Sequence, residues 1–244
     1  FHHLLGHEGD TYLERTVLSF DSIGCLDSFL GALQQVIDRH DILRTAVCWE
    51  GLSQPVQLVY RQAVLPVEEL KLRAVEITLP TGKPTKAAIA IAEGVEIDGT
   101  VPDTVLGQLL ACTDPRRMRL DIRHAPLFKA YIAADASAQE GPQVQWLLAL
   151  HHHHIICDHL SLELIIGEIQ QILAGQESSL PRPLLYRNFI AQARAVPESE
   201  HEAYFKAELG DITEPTAPFG ILDVQGDGSG VKEADLVLSD GLAR

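Results

Sequence analysis

Apolar and polar residues alternate through TYLERTVLSF (11–20), which predicts a β-strand. The spacing then lengthens. Across 25–40, Leu26, Phe29, Leu30, Leu33, Val36 and Ile37 recur at three- and four-residue intervals and so line one face of a helix. Two strand-like segments follow, 42–50 and 55–64, separated by the turn-like GLSQ, to complete a β-α-β-β opening. Residues 72–113 mix Pro, Gly and Thr with short apolar runs and are expected to form a loop or a small inserted subdomain. Strands are expected again at 127–134 and at 144–154. SLELIIGEIQQILAG (161–175) is amphipathic at helical period, with Ser161 as its expected N-cap and Gly175 near its end. A further helix is expected from 186, running on through 198–209. Periodicity is lost after Gly210, and 231–239 has the pattern of a lone strand whose partner lies elsewhere. Strands interleaved with helices, some joined by short turns, predict an α/β layer built on a mixed sheet.

Composition narrows the function. The 244 residues are 46% hydrophobic and 22% charged, enough for a sizeable core. With 34 acidic against 19 basic side chains the net charge is −15, which disfavours nucleic acid and anionic membrane as partners because phosphate binding needs clustered Lys and Arg. No apolar run reaches about 18 residues, so no membrane-spanning helix is expected. The four cysteines are far apart without CxxC pairing, which suits a reducing cytoplasm and a core-filling role. No GxGxxG or P-loop pattern supports nucleotide binding. The chain opens on Phe-His-His rather than Met, without a signal-peptide pattern, and is expected to be a piece of a longer one.

The densest chemistry is the run His151 to His154. Strand alternation puts Leu148, Leu150, His152 and His154 on one face, and Leu147, Ala149, His151 and His153 on the other. Neighbouring histidines therefore diverge, and the run cannot form a metal cage by itself. No HExxH or paired-Cys spacing supplies further ligands, and His3 and His7, four residues apart, lack a third. His151 and His152 are expected bystanders. His153, His154 and Asp158 form His-His-x-x-x-Asp where a strand end meets a helix start, a place where an imidazole can be both rigidly held and reachable. A histidine there can accept a proton from an attacking amine or hydroxyl.

HHIICDHLS (153–161) resembles the HHxxxDG motif of nonribosomal peptide synthetase condensation domains, with His159 where most members have Gly. Chloramphenicol acetyltransferase shares that motif. RHDILRTAV (39–47) resembles the family's RHExLRTxF motif, 118–130 the segment that precedes the histidines, and LLYRNFIAQ (184–192) a degenerate YxDYA. At the start, HHLLGHEGD (2–10) fits the HH[I/L]xxxxGD pattern of dual epimerization/condensation domains through His2, His3, Leu4, Gly9 and Asp10. Exposed polar residues at a helix start are the plainer reading of His2 and His3. The Asp158-His159 ending is also usual in the dual subclass.

The resemblance implies a two-layer sandwich of chloramphenicol acetyltransferase-like type, with a mixed, largely antiparallel sheet and helices on one face. Residues 1–210 would be the N-terminal lobe, and 211–244 a linker and first strand toward a C-terminal lobe of the same domain. His154 would be the catalytic base or would hydrogen-bond the tetrahedral intermediate, and His153 would be structural. Asp158 would form a buried ion pair with Arg44, so that its loss would misfold the protein. His2 and His3 belong to the subclass pattern. No cofactor is expected to bind directly: substrates would arrive on the 4′-phosphopantetheine of donor and acceptor carrier proteins, with an adenylation domain adjacent. Arg182, Arg187 and Arg194 are the local basic side chains on offer to an acidic carrier. The alternatives are an ordinary condensation domain, a lobe serving only in carrier binding, or a free-standing acetyltransferase.

Overall fold

The computed structural model describes residues 9–78, 84–90, 104–136, 144–217 and 220. His2, His3 and the strand expected at 231–239 lie outside them. Strand β1 (Leu13–Phe20) leads into helix α1 (Ile23–Arg39), whose first turn is closed by Ser22 accepting the Cys25 N–H. Five of the six predicted stripe residues are buried, Leu26, Leu33, Val36 and Ile37 fully so, and Leu30 is partly buried against them. The strand expected at 42–50 is shorter. Ile42–Arg44 make one tight turn, with the Arg44 N–H on the Asp41 carbonyl, before β2 (Thr45–Cys48) pairs with β3 (Val56–Val59). Three residues form β4 (Val67–Glu69), too short to show alternation.

Within 72–113, β5 (Leu72–Thr78) and β6 (Pro84–Ala90) form an antiparallel hairpin, and Thr104 caps helix α2 (Val105–Cys112). Then come β7 (Phe128–Asp135) and β8 (Gln145–His153). Helices α3 (His159–Leu173) and α4 (Tyr186–Ala193) follow.

The main sheet has the order β1-β8-β7-β4, antiparallel except for the parallel pairing of β4 with β7. It is mixed and largely antiparallel. The two long helices share one face: Leu33, Ile37, Ile165 and Ile169 pack against Phe128, Ala130, Leu148 and Leu150. The short α2 covers the other face, where Val105, Leu109 and Cys112 meet Tyr131, Leu147 and Ala149. Of the four cysteines, all free, Cys112 and Cys157 fill core positions whereas Cys25 is exposed. No helix among the described residues is long and apolar enough to cross a membrane.

Two compact units divide the chain, Phe1–Arg194 and Ala195–Arg244. The helix expected to run from 186 to 209 is broken. Pro197 lacks an N–H and cannot continue a helical ladder, so α5 (Glu198–Leu209) begins afresh after it.

Candidate functional site

Strand β8 carries the first three histidines of the run into the protein and releases the fourth. His151 is fully buried on the α2 face, its Nε2 2.8 Å from the Thr113 carbonyl and its ring edge-on to Tyr131. Arg15 also donates to the carbonyl of Thr113, at 2.9 Å. Burial pushes the His151 pKa down to about 4. A histidine held below its ordinary value binds protons better when unfolded, so its stabilisation is complete above about 6.5 and is lost as pH falls toward about 4. We expect His151→Phe to reduce the pH dependence of the urea midpoint across that window, with the remainder coming from His152, whose pKa burial also lowers. The lowered carboxylates Asp114, Asp121 and Glu168 act further down, below their ordinary values. An unchanged slope would rule out His151 as its source.

His152 is buried on the opposite face beside Phe128, with Nε2 3.4 Å from Thr16 Oγ1 and Nδ1 3.6 Å from Cys157 Sγ. Burial lowers its pKa and pushes the Cys157 thiol up to about 12, so this Cys–His contact holds no thiolate nucleophile.

His153 is where two distant motifs meet. Its Nδ1 accepts the Ile155 N–H at 3.0 Å, so the neutral ring carries its proton on Nε2, which donates to Asp10 Oδ2 at 3.2 Å. Both side chains are almost wholly buried, 3% and 1% exposed. Asp10 also accepts the Tyr12 N–H through Oδ1, and its carbonyl accepts the Leu13 N–H. Gly9 makes this approach possible: it is buried with φ +70° against the backbone of Arg116. Arg119, from the segment preceding the histidines, donates to the Gly9 carbonyl.

His154 lies just past β8. Its N–H donates to the Tyr12 carbonyl at 2.8 Å, extending the β1–β8 ladder by one position, and its side chain is 47% exposed. This is the one histidine of the run that both the fold anchors and solvent reaches.

The second motif is spent on holding helices. Arg39 Nε and His40 Nε2 both lie 3.0 Å from Glu168 Oε2 on α3, and Arg39 also donates to the Pro181 carbonyl. Asp41 accepts the Tyr186 N–H that opens α4, with both carboxylate oxygens at 3.0 Å. Arg44 donates to the carbonyls of Tyr60 and Arg61.

The expected Arg44–Asp158 ion pair is therefore corrected: among the described residues these two side chains do not meet. Asp158 is exposed and caps α3, accepting Ser161 N–H at 2.8 Å and Ser161 Oγ–H at 2.7 Å, bonds that also lower its pKa. A carboxylate beside a helix N-terminus finds its donors locally, while Arg44 is taken by carbonyls of its own hairpin. Asp158, not Ser161, is thus the cap. Asp158→Ala is accordingly expected to lower Tm modestly and leave a folded protein, with Asp158→Asn retaining most of the cap; loss of the folded state would contradict this. Glu168 and Glu14 escaped sequence reasoning because their partners lie far along the chain, and Asp41, inside the second motif, found its partner at Tyr186 only in the fold.

Among the described residues no three His, Cys, Asp or Glu side chains are grouped to hold a metal ion. No protein-family model matches the chain. It is 39% identical over 243 residues to malpibaldin synthetase of Mortierella alpina, which covers 99% of this chain and 4% of that protein. Malpinin synthetase of the same organism is 40% identical over 240 residues, 98% of this chain and 3% of the relative. A linear gramicidin synthase of Brevibacillus parabrevis is 24% identical over 221 residues, 89% of this chain and 4% of the relative. The chain thus spans a small fraction of the curated relatives it matches. Among solved structures, the starter condensation domain of rhizomide synthetase superposes with a TM-score of 0.52 at 17% identity, covering 87% of this chain and 45% of that one. The cyclization-docking bidomain of the EpoB synthetase of Sorangium cellulosum superposes with a TM-score of 0.55 at 18% identity, covering 84% of this chain and 35% of that one. The chain therefore has the α/β fold of condensation domains, and its sequence relatives are nonribosomal peptide synthetases.

Proposed function

We propose that the chain is the N-terminal lobe of a condensation domain of the dual epimerization/condensation subclass. In this reading it turns the donor residue from L to D on its carrier and joins it to the acceptor amine. One observation carries the reading: Asp10, the last residue of the HH…GD pattern, packs its carboxylate on the ring of His153 in the HHxxxD motif. The described end of the N-terminal pattern thus lies against the HHxxxD motif, which supports reading the two motifs together. The pairing immobilises His153, and the chain leaves β8 with His154 facing solvent.

His154 is the base. As the acceptor nitrogen bonds to the thioester carbonyl carbon, its proton passes to the imidazole; the C–S bond breaks and the leaving thiolate takes up a proton. Epimerization uses the same ring to remove the α-proton beside the carbonyl; a proton returned to the opposite face of the planar enolate gives the D residue, and His2 and His3 belong to the subclass pattern that goes with this step. Asp158 supports the loop by capping α3. The substrates are held on the 4′-phosphopantetheine of donor and acceptor peptidyl carrier proteins. A C-terminal lobe supplies the rest of the site, and an adenylation domain is adjacent. The exposed Arg182, Arg187 and Arg194 are the candidate contacts for an acidic carrier.

The test is the configuration of the product. In the full-length synthetase, loaded with an L-aminoacyl donor and an acceptor, the product should contain a D residue at the donor position. Condensation of an unchanged L donor would reduce the assignment to an ordinary condensation domain. Acylation of a free hydroxyl from coenzyme A would overturn it.

A further inference from the structure

The geometry points to Glu14 as a positioning residue for His154, an inference that rests on the role proposed for that histidine. Glu14 lies on β1 directly opposite His152. The bond from His154 N–H to the Tyr12 carbonyl continues this register, so His154 stands opposite Tyr12 and diagonal to Glu14. Diagonal neighbours on one face of an antiparallel pair are within reach of long side chains, and period-two alternation puts Glu14, His152 and His154 on the same face. The side chains close the distance: Glu14 Oε1 is 3.7 Å from His154 Nε2, and Glu14 Oε2 is 3.7 Å from His152 Nδ1. The carboxylate sits between a buried ring and an open one, and is itself 45% exposed.

These distances are those of an ion pair rather than a short hydrogen bond, and that matters for the chemistry. With a neutral imidazole the contact is weak. Once His154 has taken the proton of the attacking amine, the ring is a cation facing a fixed anion, so the attraction grows along the reaction coordinate. Glu14 faces Nε2 of the ring. Glu14 touches no reacting atom in this arrangement and acts only through the ring.

The experiment compares Glu14→Gln, Glu14→Asp, His154→Ala and the Glu14→Gln/His154→Ala pair in the full-length synthetase, using a D-aminoacyl donor so that epimerization is not required. Glu14→Gln should lower kcat roughly fivefold, the scale of an ion pair at a half-exposed site, with KM for the acceptor carrier and Tm unchanged. Glu14→Asp should recover part of the rate, and the double variant should be no slower than His154→Ala, because the two act as one unit. An unchanged kcat in Glu14→Gln, a loss matched by a fall in Tm, or additive losses in the double variant would overturn the inference. If His154→Ala itself condenses normally, the role of His154 falls first. If condensation responds as expected while an L donor is never inverted, only the epimerase reading falls.

Discussion

His154→Ala should abolish peptide-bond formation, with a loss of about 10²–10⁴-fold in kcat, while the protein melts like the parent. The two halves of this expectation have separate physical grounds. The imidazole is 47% exposed, so its removal opens no cavity in the core. What anchors this position is the backbone N–H on the Tyr12 carbonyl, which alanine keeps. The proton acceptor is lost and the scaffold is not. His153→Ala is the informative contrast: that ring is buried and serves both the Ile155 N–H and the Asp10 carboxylate, so its loss should show as a lower Tm before it shows in chemistry. Single-turnover rates beside thermal melts would check both, and a His154→Ala enzyme that condenses at the parental rate would remove this residue from the mechanism.

Gly9→Ala should be the most damaging small substitution in the described part of the chain. A Cβ at this position would lie 2.6 Å from the Arg116 carbonyl carbon and closer still to its oxygen, both backbone atoms that cannot swing aside. The backbone at φ +70° is also one that L side chains adopt reluctantly. Left-handed strain and overpacking together amount to roughly 2–5 kcal/mol, a large part of a typical domain's stability of about 5–15 kcal/mol. Relief would require Gly9 to move off Arg116, and Asp10 would move with it, away from His153. We therefore expect a lower urea midpoint and a slower enzyme from the same variant, read by equilibrium unfolding and by condensation rate. A midpoint like the parent's would show that the Arg116 segment yields easily.

The long elements were legible in the sequence because a buried face imposes its period on the residues that line it. Leu26 to Ile37 line one helical face against one apolar layer, and β8, buried on both faces, reads as a continuous apolar run that ends in the histidines. Short or composite elements were not legible. β4 has three residues, and the turn at Ile42–Arg44 hides inside an apolar run. Pro197 interrupts two helices whose patterns look continuous.

The site divides along the same line. Period two alone sends His151 and His152 to opposite faces, excludes a metal cage made from the run, and singles out the strand end as the place for a reachable imidazole. Which partner each side chain takes is another matter, because it depends on residues brought close from far along the chain. Asp10 reaches His153, Asp41 reaches Tyr186 and Glu168 receives Arg39 only once the sheet and helices are assembled. The Arg44–Asp158 pairing failed for that reason: a motif says that two charged residues recur, whereas folding decides that donors at the start of α3 reach Asp158 and the Tyr60 carbonyl reaches Arg44. Local periodicity is written residue by residue, but hydrogen-bond partnership is settled by three-dimensional distance.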